Sequence, residues 1–298
     1  MKRWEMGKID PVTVSVIMGV YNQTDNAALT LAVDSILGQT LTDFEFLIYD
    51  DGSHPEGAAL LRAQAQRDER IRLIRCEENH GLAYGLARCV EASRGRYIAR
   101  MDADDACPPE RLEKQVRFLE QHPEYAWCGA NPLLFYDGRI WGSRLYPEKP
   151  EASDYLRFSP FCHPSVVFRA EVLRAENYLS SPRTMRCEDY ELFMRLQRKG
   201  CRGYNLQELL FYYREAAETY QRRTFRARWR EMLIRREGFR ALGLLPRGWL
   251  YVIRPVIAGL IPHRLVAWLK RKESDHSGGT DLELAQQAAS ILSKTAQL

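Results

Sequence analysis

Short apolar runs alternate with helix-period segments through the first hundred residues of the chain. The apolar runs, which we predict to be buried strands, lie at 12–20, 44–50, 71–76 and 96–101. Between them, apolar side chains recur at the three- and four-residue spacing of amphipathic helices, in the segments 25–39, 55–69 and 81–95. This alternation predicts an α/β fold with a parallel sheet covered by helices on both faces.

Glycine and proline mark the predicted helix ends in this half. Gly95 is placed to cap the third helix at its carboxyl end. Pro108 and Pro109 suit the first turn of a helix over 110–122, where a missing N–H is tolerated. Asp105, just before the prolines, is predicted to cap that helix.

The pattern of the second half is less regular. Two strands are predicted around the turn Tyr136-Asp137-Gly138, and a further short strand at 163–169. An amphipathic helix is predicted over 188–200 and a basic helical segment over 218–241. After residue 272 a polar linker leads to a short terminal helix.

The net charge of +4 hides an asymmetry along the chain. Residues 222–272 hold 14 of the 43 lysines and arginines but only two of the 39 acidic residues, so the remainder of the chain is acidic. With Trp249, Tyr251 and Trp268, this segment favours an anionic partner, and an anionic membrane surface and a nucleic acid both stay open. A helical appendage packed on the domain is the third interpretation.

Other features of the sequence indicate the cellular compartment of the protein. The first twenty residues lack the apolar segment of a signal peptide. The most apolar later stretch, 248–270, is interrupted by two prolines and two arginines, which disfavours a simple membrane-spanning helix. The seven cysteines are scattered without a C-x-x-C pair, which favours reduced thiols over disulfides or a structural zinc site. We therefore expect a cytoplasmic protein.

Polar side chains follow every predicted strand of the first half. They are Tyr21 and Asn22 after the first, Asp50, Asp51 and Ser53 after the second, Asn79 and His80 after the third, and Asp102, Asp104 and Asp105 after the fourth. Ligands of such sheets bind beyond the carboxyl ends of the strands. The convergence predicts a ligand site at this edge.

Several of these residues have a chemical and a structural interpretation. Asp102 and Asp104 can hold Mg²⁺ or Mn²⁺ together with phosphate oxygens. Glu188 and Asp189 either favour the dipole of the helix that they begin or provide a general base. His163 is either a structural histidine or a metal or phosphate ligand.

Two arginines also have two possible interpretations each. Arg100 could pair with the aspartates that follow it or with a diphosphate. Arg88 could bind the ligand or simply be solvated.

The motifs VSVIMGVYN, LIYDDGS, NHGLAYGLAR, YIARMDADD, HPSVVFR and CEDYELFMRL occur in one order along residues 12–215. In that order and spacing they resemble the family 2 glycosyltransferases, inverting enzymes with the GT-A fold that use nucleotide-diphosphate sugars, usually with a divalent metal. The resemblance implies a Rossmann-like nucleotide-binding mixed sheet flanked by helices, with a C-terminal helical extension. The Q-x-x-R-W signature of processive polymer synthases is missing, which favours transfer of a single sugar.

The resemblance also implies roles for individual residues. Asp189 would be the catalytic base, supported by Glu188, and Asp104 the metal ligand, with Asp102 and His163 as further ligands. The residues implied for donor binding are Val20, Tyr21, Asn22, Asp50, Asp51, Asn79, Arg88, Arg100, Asp102 and Ala103. The implied cofactors are Mn²⁺ or Mg²⁺ and a nucleotide-sugar, with a UDP-sugar favoured.

The predicted organisation is a catalytic domain over 1–217, with a nucleotide half at about 12–105 and an acceptor half at about 106–217. A basic amphipathic extension over 218–272 and a linker with a short helix over 273–298 follow. The expected partners are a glycan or lipid-diphosphate-linked sugar acceptor and the cytoplasmic face of a bacterial inner membrane. A nucleotidyltransferase and a nucleic-acid-binding protein are the alternative functions.

Overall fold

A computed structural model describes residues 12–215 and 224–260 of the chain. The strands are β1 (Val14–Val20), β2 (Phe44–Asp51), β3 (Ile71–Cys76), β4 (Tyr97–Arg100), β5 (Trp127–Tyr136), β6 (Arg139–Ser143), β7 (Val167–Arg169) and β8 (Gly203–Arg214). The helices are α1 (Asn26–Leu37), α2 (Pro55–Ala65), α3 (Leu82–Ala92), α4 (Arg111–Gln121), α5 (Ala170–Ala175), α6 (Glu188–Arg198), α7 (Phe225–Ala241) and α8 (Trp249–Leu260).

These strands form one mixed sheet in the order β3-β2-β1-β4-β7-β5-β6, and β8 pairs with β5. The first four strands are parallel, as the alternating pattern predicts. β7 runs antiparallel to both β4 and β5, whereas β5 and β8 run parallel to each other. The carboxyl ends of β1, β2, β3, β4, β5 and β8 therefore lie at one edge of the sheet. The α/β fold predicted from the sequence is confirmed.

Two hydrophobic cores lie on the two faces of this sheet. Along β1, Val14, Val16 and Met18 belong to one core, and Ile17 belongs to the other. This separation follows from the two-residue period of a strand, which sends successive side chains to opposite faces. Because both faces are covered, the central strands are mainly apolar and do not alternate regularly with polar residues.

Helix boundaries follow the predicted signals in some places and depart from them in others. Asp25 caps α1 by accepting a hydrogen bond from the Ala28 N–H at 3.0 Å, and Pro55 lies in the first turn of α2. The prediction that Gly95 caps α3 is wrong, since α3 ends at Ala92 and its cap is Ser93. Gly95 instead lies so close to β1 that an added Cβ would come within 2.4 Å of the Ser15 nitrogen.

The start of α4 also differs from its prediction. Pro108 and Pro109 precede the helix rather than lying in its first turn, and Glu110 occupies the cap position. The helix therefore begins one turn later than the prolines suggest. Asp105 is too far upstream to cap it, and the prediction of that role is wrong.

The second half contains the predicted hairpin and a shortened strand. β5 and β6 pair across a turn in which Asp137 and Gly138 have φ values of 50° and 69°. The strand predicted at 163–169 is reduced to β7, because His163–Ser165 form a 3-10 turn. Pro164 explains the difference, since a residue without an N–H cannot donate to a sheet ladder.

The helices α7 and α8 pack against the body of the protein. Ile234 and Phe239 of α7 and Val252 of α8 belong to the same hydrophobic core as α6. Pro255 lies inside α8 without ending it. Each helix in the described ranges is too short or too polar to cross a bilayer.

Some predictions concern other parts of the chain. The predicted domain boundaries after residues 217 and 272, Trp268, the linker and the terminal helix all lie outside the described residues. All seven cysteines lie within them and are free thiols.

Candidate active site at the carboxyl edge of the sheet

Hydrogen bonds join the loops that follow β1 and β2. Asn22 adopts the left-handed conformation, with φ of 52°, at the end of β1. Its N–H donates to the Ser53 hydroxyl at 2.9 Å, and its side-chain oxygen accepts the His54 N–H at 2.8 Å. Val20 beside it is buried, whereas the Tyr21 side chain is half exposed. The two loops therefore form one rigid wall.

Two buried aspartates at the end of β2 fix the neighbouring loops. Asp50 accepts the Ser53 N–H at 2.9 Å and a hydrogen bond from Arg75 at 3.0 Å. Asp51 accepts hydrogen bonds from the Asn79 side chain at 2.8 Å and from the backbone N–H groups of His80 and Gly81. Both carboxylates thus hold the pocket wall in place, and their contact with a nucleotide base stays a prediction.

The loop after β4 concentrates negative charge. Asp104 is exposed at the surface of the edge, yet partial desolvation by the surrounding protein and the charge of Asp102 raise its pKa to about 6. Asp105 is buried, and burial together with Asp102 and Asp104 raises its pKa well above the ordinary value. Its carboxylate accepts the Arg214 N–H at 2.7 Å instead of capping α4. Ala103 lies between the aspartates, and its carbonyl accepts a hydrogen bond from Gln23 at 3.5 Å.

A buried arginine balances part of this charge. The Arg100 side chain is only 2% exposed and forms an ion pair with Asp102. The prediction that Arg100 pairs with the following acids is therefore confirmed. Burial of His163 and the nearby charge of Arg100 hold the pKa of His163 well below the ordinary value, so that this imidazole is neutral at physiological pH.

His163 lies in a buried pair with a tyrosine. Its Nε2 atom is 2.8 Å from the Tyr178 hydroxyl. The structure does not bring His163 together with Asp102 and Asp104 as a three-ligand site. Across residues 12–215 and 224–260, no three His, Cys, Asp or Glu side chains are arranged to hold a metal ion.

The two aspartates alone still fit a divalent cation. Mg²⁺ sites in phosphoryl chemistry often have one or two protein carboxylates, and substrate phosphates complete the shell. Desolvation and the nearby charge of Asp102 raise the pKa of Asp104, and a bound cation would relieve the repulsion between the two carboxylates. Asp102 and Asp104 are therefore the residues of this edge that would hold Mn²⁺ or Mg²⁺.

A second pair of carboxylates begins α6. Glu188 and Asp189 occupy its first turn, where the helix dipole favours negative charge. Burial and the charge of Asp189 nevertheless raise the pKa of Glu188 to about 7. The Glu188 Oε2 atom is buried and has no hydrogen-bond partner among the described residues. The charge of Arg100 acts in the opposite direction and lowers the pKa of Glu188.

One predicted residue does not join this group. Arg88 is exposed on α3, where it pairs with Glu91 at 2.5 Å and lies over the Tyr84 ring. The solvated interpretation of Arg88 is the one that its position supports.

Other residues of this edge carry no local sequence signal. Arg214, at the end of β8, donates its N–H to Asp105 and pairs with Asp25 at 2.9 Å. Tyr178 lies in a loop and reaches the site through His163. Only the long-range pairing of β8 with β5 brings Arg214 to this edge, so no local pattern could have identified it.

Comparisons with known proteins agree with this architecture. A family model described as glycosyl transferase family 2 matches residues 15–175. The glycosyltransferase EpsE of Bacillus subtilis is 37% identical over 252 residues, which cover 84% of this chain and 90% of that protein. The O-antigen biosynthesis glycosyltransferase WbnJ of Escherichia coli is 32% identical, over 67% of this chain and 79% of its own. The amylovoran biosynthesis glycosyltransferase AmsE of Erwinia amylovora is 29% identical, over 87% and 98%.

Solved structures share the fold at lower identity. TarS of S. aureus in complex with UDP-GlcNAc is similar with a TM-score of 0.64 and 16% identity, over 87% of this chain and 79% of that one. The mannosyltransferase PcManGT of Pyrobaculum calidifontis, in complex with GDP-Man and Mn²⁺, has a TM-score of 0.59 and 16% identity, over 99% and 89%. At this identity the likeness establishes the fold alone.

Proposed function

The chain belongs to glycosyl transferase family 2 and is a glycosyltransferase, and we propose that it transfers one sugar, with inversion, from a nucleotide-diphosphate sugar to a hydroxyl group of a glycan acceptor. The observation that carries the proposal is the meeting of two carboxylate sets at one edge of the sheet. The loop Asp102–Asp105 and the pair Glu188–Asp189 both lie within the electrostatic reach of Arg100. One set suits the donor diphosphate, and the other suits the acceptor hydroxyl.

The donor end of the site relies on positioning. The rigid wall of Asn22, Ser53 and Asp51 would shape the pocket for the nucleoside, and Asp102 and Asp104 would hold Mn²⁺ or Mg²⁺. The chemistry that such a cation supplies is stabilisation of the negative charge on the diphosphate leaving group. Arg100 keeps Asp102 in place through their ion pair.

The acceptor end relies on proton transfer. Asp189 would accept the proton of the acceptor hydroxyl as that oxygen attacks the anomeric carbon, which contributes a factor of about 10² to 10⁴ in typical enzymes. Glu188 would accept a second hydrogen bond from the acceptor through its unpartnered Oε2. Both roles require the first turn of α6 to keep its orientation.

We assign a lipid-linked acceptor on the strength of the surface of α7 and α8. Phe225, Trp229, Trp249 and Leu250 are exposed there, among many arginines. Aromatic and cationic side chains together favour the interface of an anionic membrane. Two relatives are named for O-antigen and amylovoran biosynthesis, which agrees with a surface-glycan acceptor.

A nucleotide-release screen tests the proposed reaction. The purified protein is incubated with UDP- and GDP-sugars, Mn²⁺ or Mg²⁺ and a lipid-diphosphate-sugar acceptor. We expect acceptor-dependent release of UDP, with GDP as the second possibility. Release of pyrophosphate would instead identify a nucleotidyltransferase, and no release with any donor would contradict the proposal.

Vesicle flotation tests the membrane surface separately. The protein should float with phosphatidylglycerol-containing vesicles and not with pure phosphatidylcholine. The double variant F225A/W229A should float less, whereas W141A, which removes an exposed aromatic side chain of β6, should not change flotation. Equal flotation of all three proteins would contradict the membrane surface without affecting the proposed reaction.

A further inference from the structure

The first turn of α6 needs support from outside the helix. Arg186, two residues before α6, has φ of 67°, a conformation that is strained for a residue with a side chain. The cap residue Cys187 makes no capping hydrogen bond through its side chain, and the adjacent acids Glu188 and Asp189 repel each other. Backbone hydrogen bonds to the Glu188 carboxylate and the helix dipole offset part of this cost. A turn with these features frays unless packing holds it.

That packing comes from the residue next to Asp189. Tyr190 is 5% exposed, and its hydroxyl donates to the Tyr155 carbonyl. The two tyrosine rings are stacked, with centroids 6.2 Å apart. Tyr190 therefore fixes the rotation of the first turn about the helix axis.

One residue of α7 closes this arrangement. The guanidinium carbon of Arg235 lies 5.1 Å from the centroid of the Tyr190 ring, and the side chain is almost fully buried. Its NH1 group donates to the Leu156 carbonyl at 2.9 Å, and its Nε donates to Glu231 at 3.0 Å. The fork of donors thus holds the cation over the ring, a geometry that a lysine would not reproduce.

The two helices approach each other closely at the next turn of α7. An added Cβ on Gly238 would lie 2.3 Å from the sulfur of Met194 in α6. Ile234 and Phe239 complete the apolar contact around Arg235. The contact between α6 and α7 is therefore a packed part of the core. Because the packing is close, a shift of α7 would displace α6 as well.

We propose that Arg235 is a positioning residue for catalysis: α7 clamps Tyr190 through Arg235 and thereby sets the direction in which Asp189 points. The inference rests on the proposed role of Asp189 as the base. A carboxylate about 5 Å from a helix axis moves about 1 Å when the helix turns by about 10°. A misplacement of about 1 Å can cost about 100-fold in rate. The C-terminal helices would accordingly belong to the catalytic unit as well as to the membrane surface.

Kinetics of matched variants test this role. R235M removes the cation and the donors while keeping an unbranched apolar stem, and R236M changes the adjacent, exposed arginine in the same way. We expect R235M to lower kcat by about 10- to 100-fold with the donor KM within about twofold of wild type, and R236M to change neither. R235K should recover part of the loss. A folded R235M with wild-type kcat would overturn the proposal.

Hydrogen exchange separates this inference from the proposed function. The amides of the first turn of α6, among them the Glu191 N–H that donates to the Cys187 carbonyl, should exchange faster in R235M and unchanged in R236M. Unchanged exchange in R235M would overturn the clamp, whatever the role of Asp189. Full activity of D189N would instead overturn the base assignment and leave the exchange result standing.

Discussion

Two carboxylate clusters lie at opposite edges of the same sheet, and the pKa values of their desolvated members shift in opposite directions. At the amino edge, burial alone would raise the pKa of Glu45, but hydrogen bonds from Ser15, Arg72 and Arg94 outweigh it and lower the pKa. At the carboxyl edge, burial and neighbouring acids raise the pKa of Asp104 and Glu188. Desolvation acts on carboxylates in both clusters, so the opposite directions of the pKa shifts come from the groups that surround each carboxylate.

At the amino edge, the Glu45 carboxylate has a full set of hydrogen-bond partners. Glu45 accepts the Ser15 hydroxyl at 2.7 Å, the Arg72 guanidinium at 2.7 Å and the Arg94 N–H at 2.7 Å. At the carboxyl edge, by contrast, the buried Oδ2 of Asp105 and Oε2 of Glu188 have no hydrogen-bond partner in the described residues. Unsatisfied buried polar atoms cost free energy, and they persist where a ligand supplies what the protein does not. The comparison supports a structural role for the first cluster and agrees with the chemistry proposed for the second.

The largest expected effect concerns the proposed base. Asp189→Asn should lower transfer by about 10³-fold, because the amide cannot accept the proton of the acceptor hydroxyl. Donor affinity should stay unchanged, since the substitution leaves the nucleotide wall intact. Steady-state kinetics together with donor-binding calorimetry measure both quantities. Turnover of the variant at the wild-type rate would contradict the proposed role of Asp189 as the base.

The next effect concerns the cation site. Asp104→Asn should lower the rate by about 100-fold and weaken the response to Mn²⁺, because one of two carboxylate ligands is lost. Thermal stability at neutral pH should not fall, since the substitution also relieves repulsion with Asp102. Titration of activity against Mn²⁺ measures the effect, with Asp137→Asn in the exposed hairpin turn as the control. An identical Mn²⁺ response in the Asp104 variant would contradict its role as a ligand.

A substitution at the amino edge should lower the stability of the protein rather than its activity. Glu45→Gln should lower the free energy of unfolding by about 2 kcal/mol, because two arginines lose their shared charge partner while remaining partly solvated. Activity per folded molecule should stay within about threefold of wild type. Urea denaturation and kinetics at low temperature separate the two readouts. A large loss of kcat without a loss of stability would contradict the structural role of this cluster.

The smallest effects are those of pH. Glu188 has a raised pKa of about 7, so the folded protein holds its proton longer than the unfolded chain, and this group lowers stability as pH rises from about 4.5 to about 7. Glu45 has a lowered pKa and does the reverse: its contribution is present above about pH 4.5 and is lost as pH falls further. Thermal melts at a series of pH values should show the pH dependence from Glu188 disappear in E188Q and that from Glu45 disappear in E45Q.

The activity of the enzyme should rise as the pH increases through about 7, because Glu188 ionises there. In E188Q this rise in activity should be lost.

The sequence pattern predicted the parallel half of the fold well. Both faces of the central strands are covered, so the strands are mainly apolar runs that local composition identifies. The Asp137-Gly138 turn was also readable, since its geometry depends on a few neighbouring residues. The six motifs predicted the family, which the comparisons confirm.

Local signals failed where distant segments meet. Gly95 has the composition of a helix cap, but its close approach to Ser15 decides its position. Asp105 has the composition of a helix cap as well, but β8 brings the Arg214 N–H to it. Arg235 sits among other arginines in a basic segment, and only its place against Tyr190 distinguishes it from Arg236.

The sequence by itself determined which residues carry charge at the ends of the strands, because the alternation of apolar runs and helices sends those ends to one edge. Only the tertiary structure decided which of these charges are satisfied. Whether a buried carboxylate has its pKa lowered, as Glu45 does, or raised, as Glu188 does, depends on donors that come from strands and loops far along the chain. The physical reason is that desolvation acts on any buried charge, whereas the compensating hydrogen bonds exist only where folding places a partner.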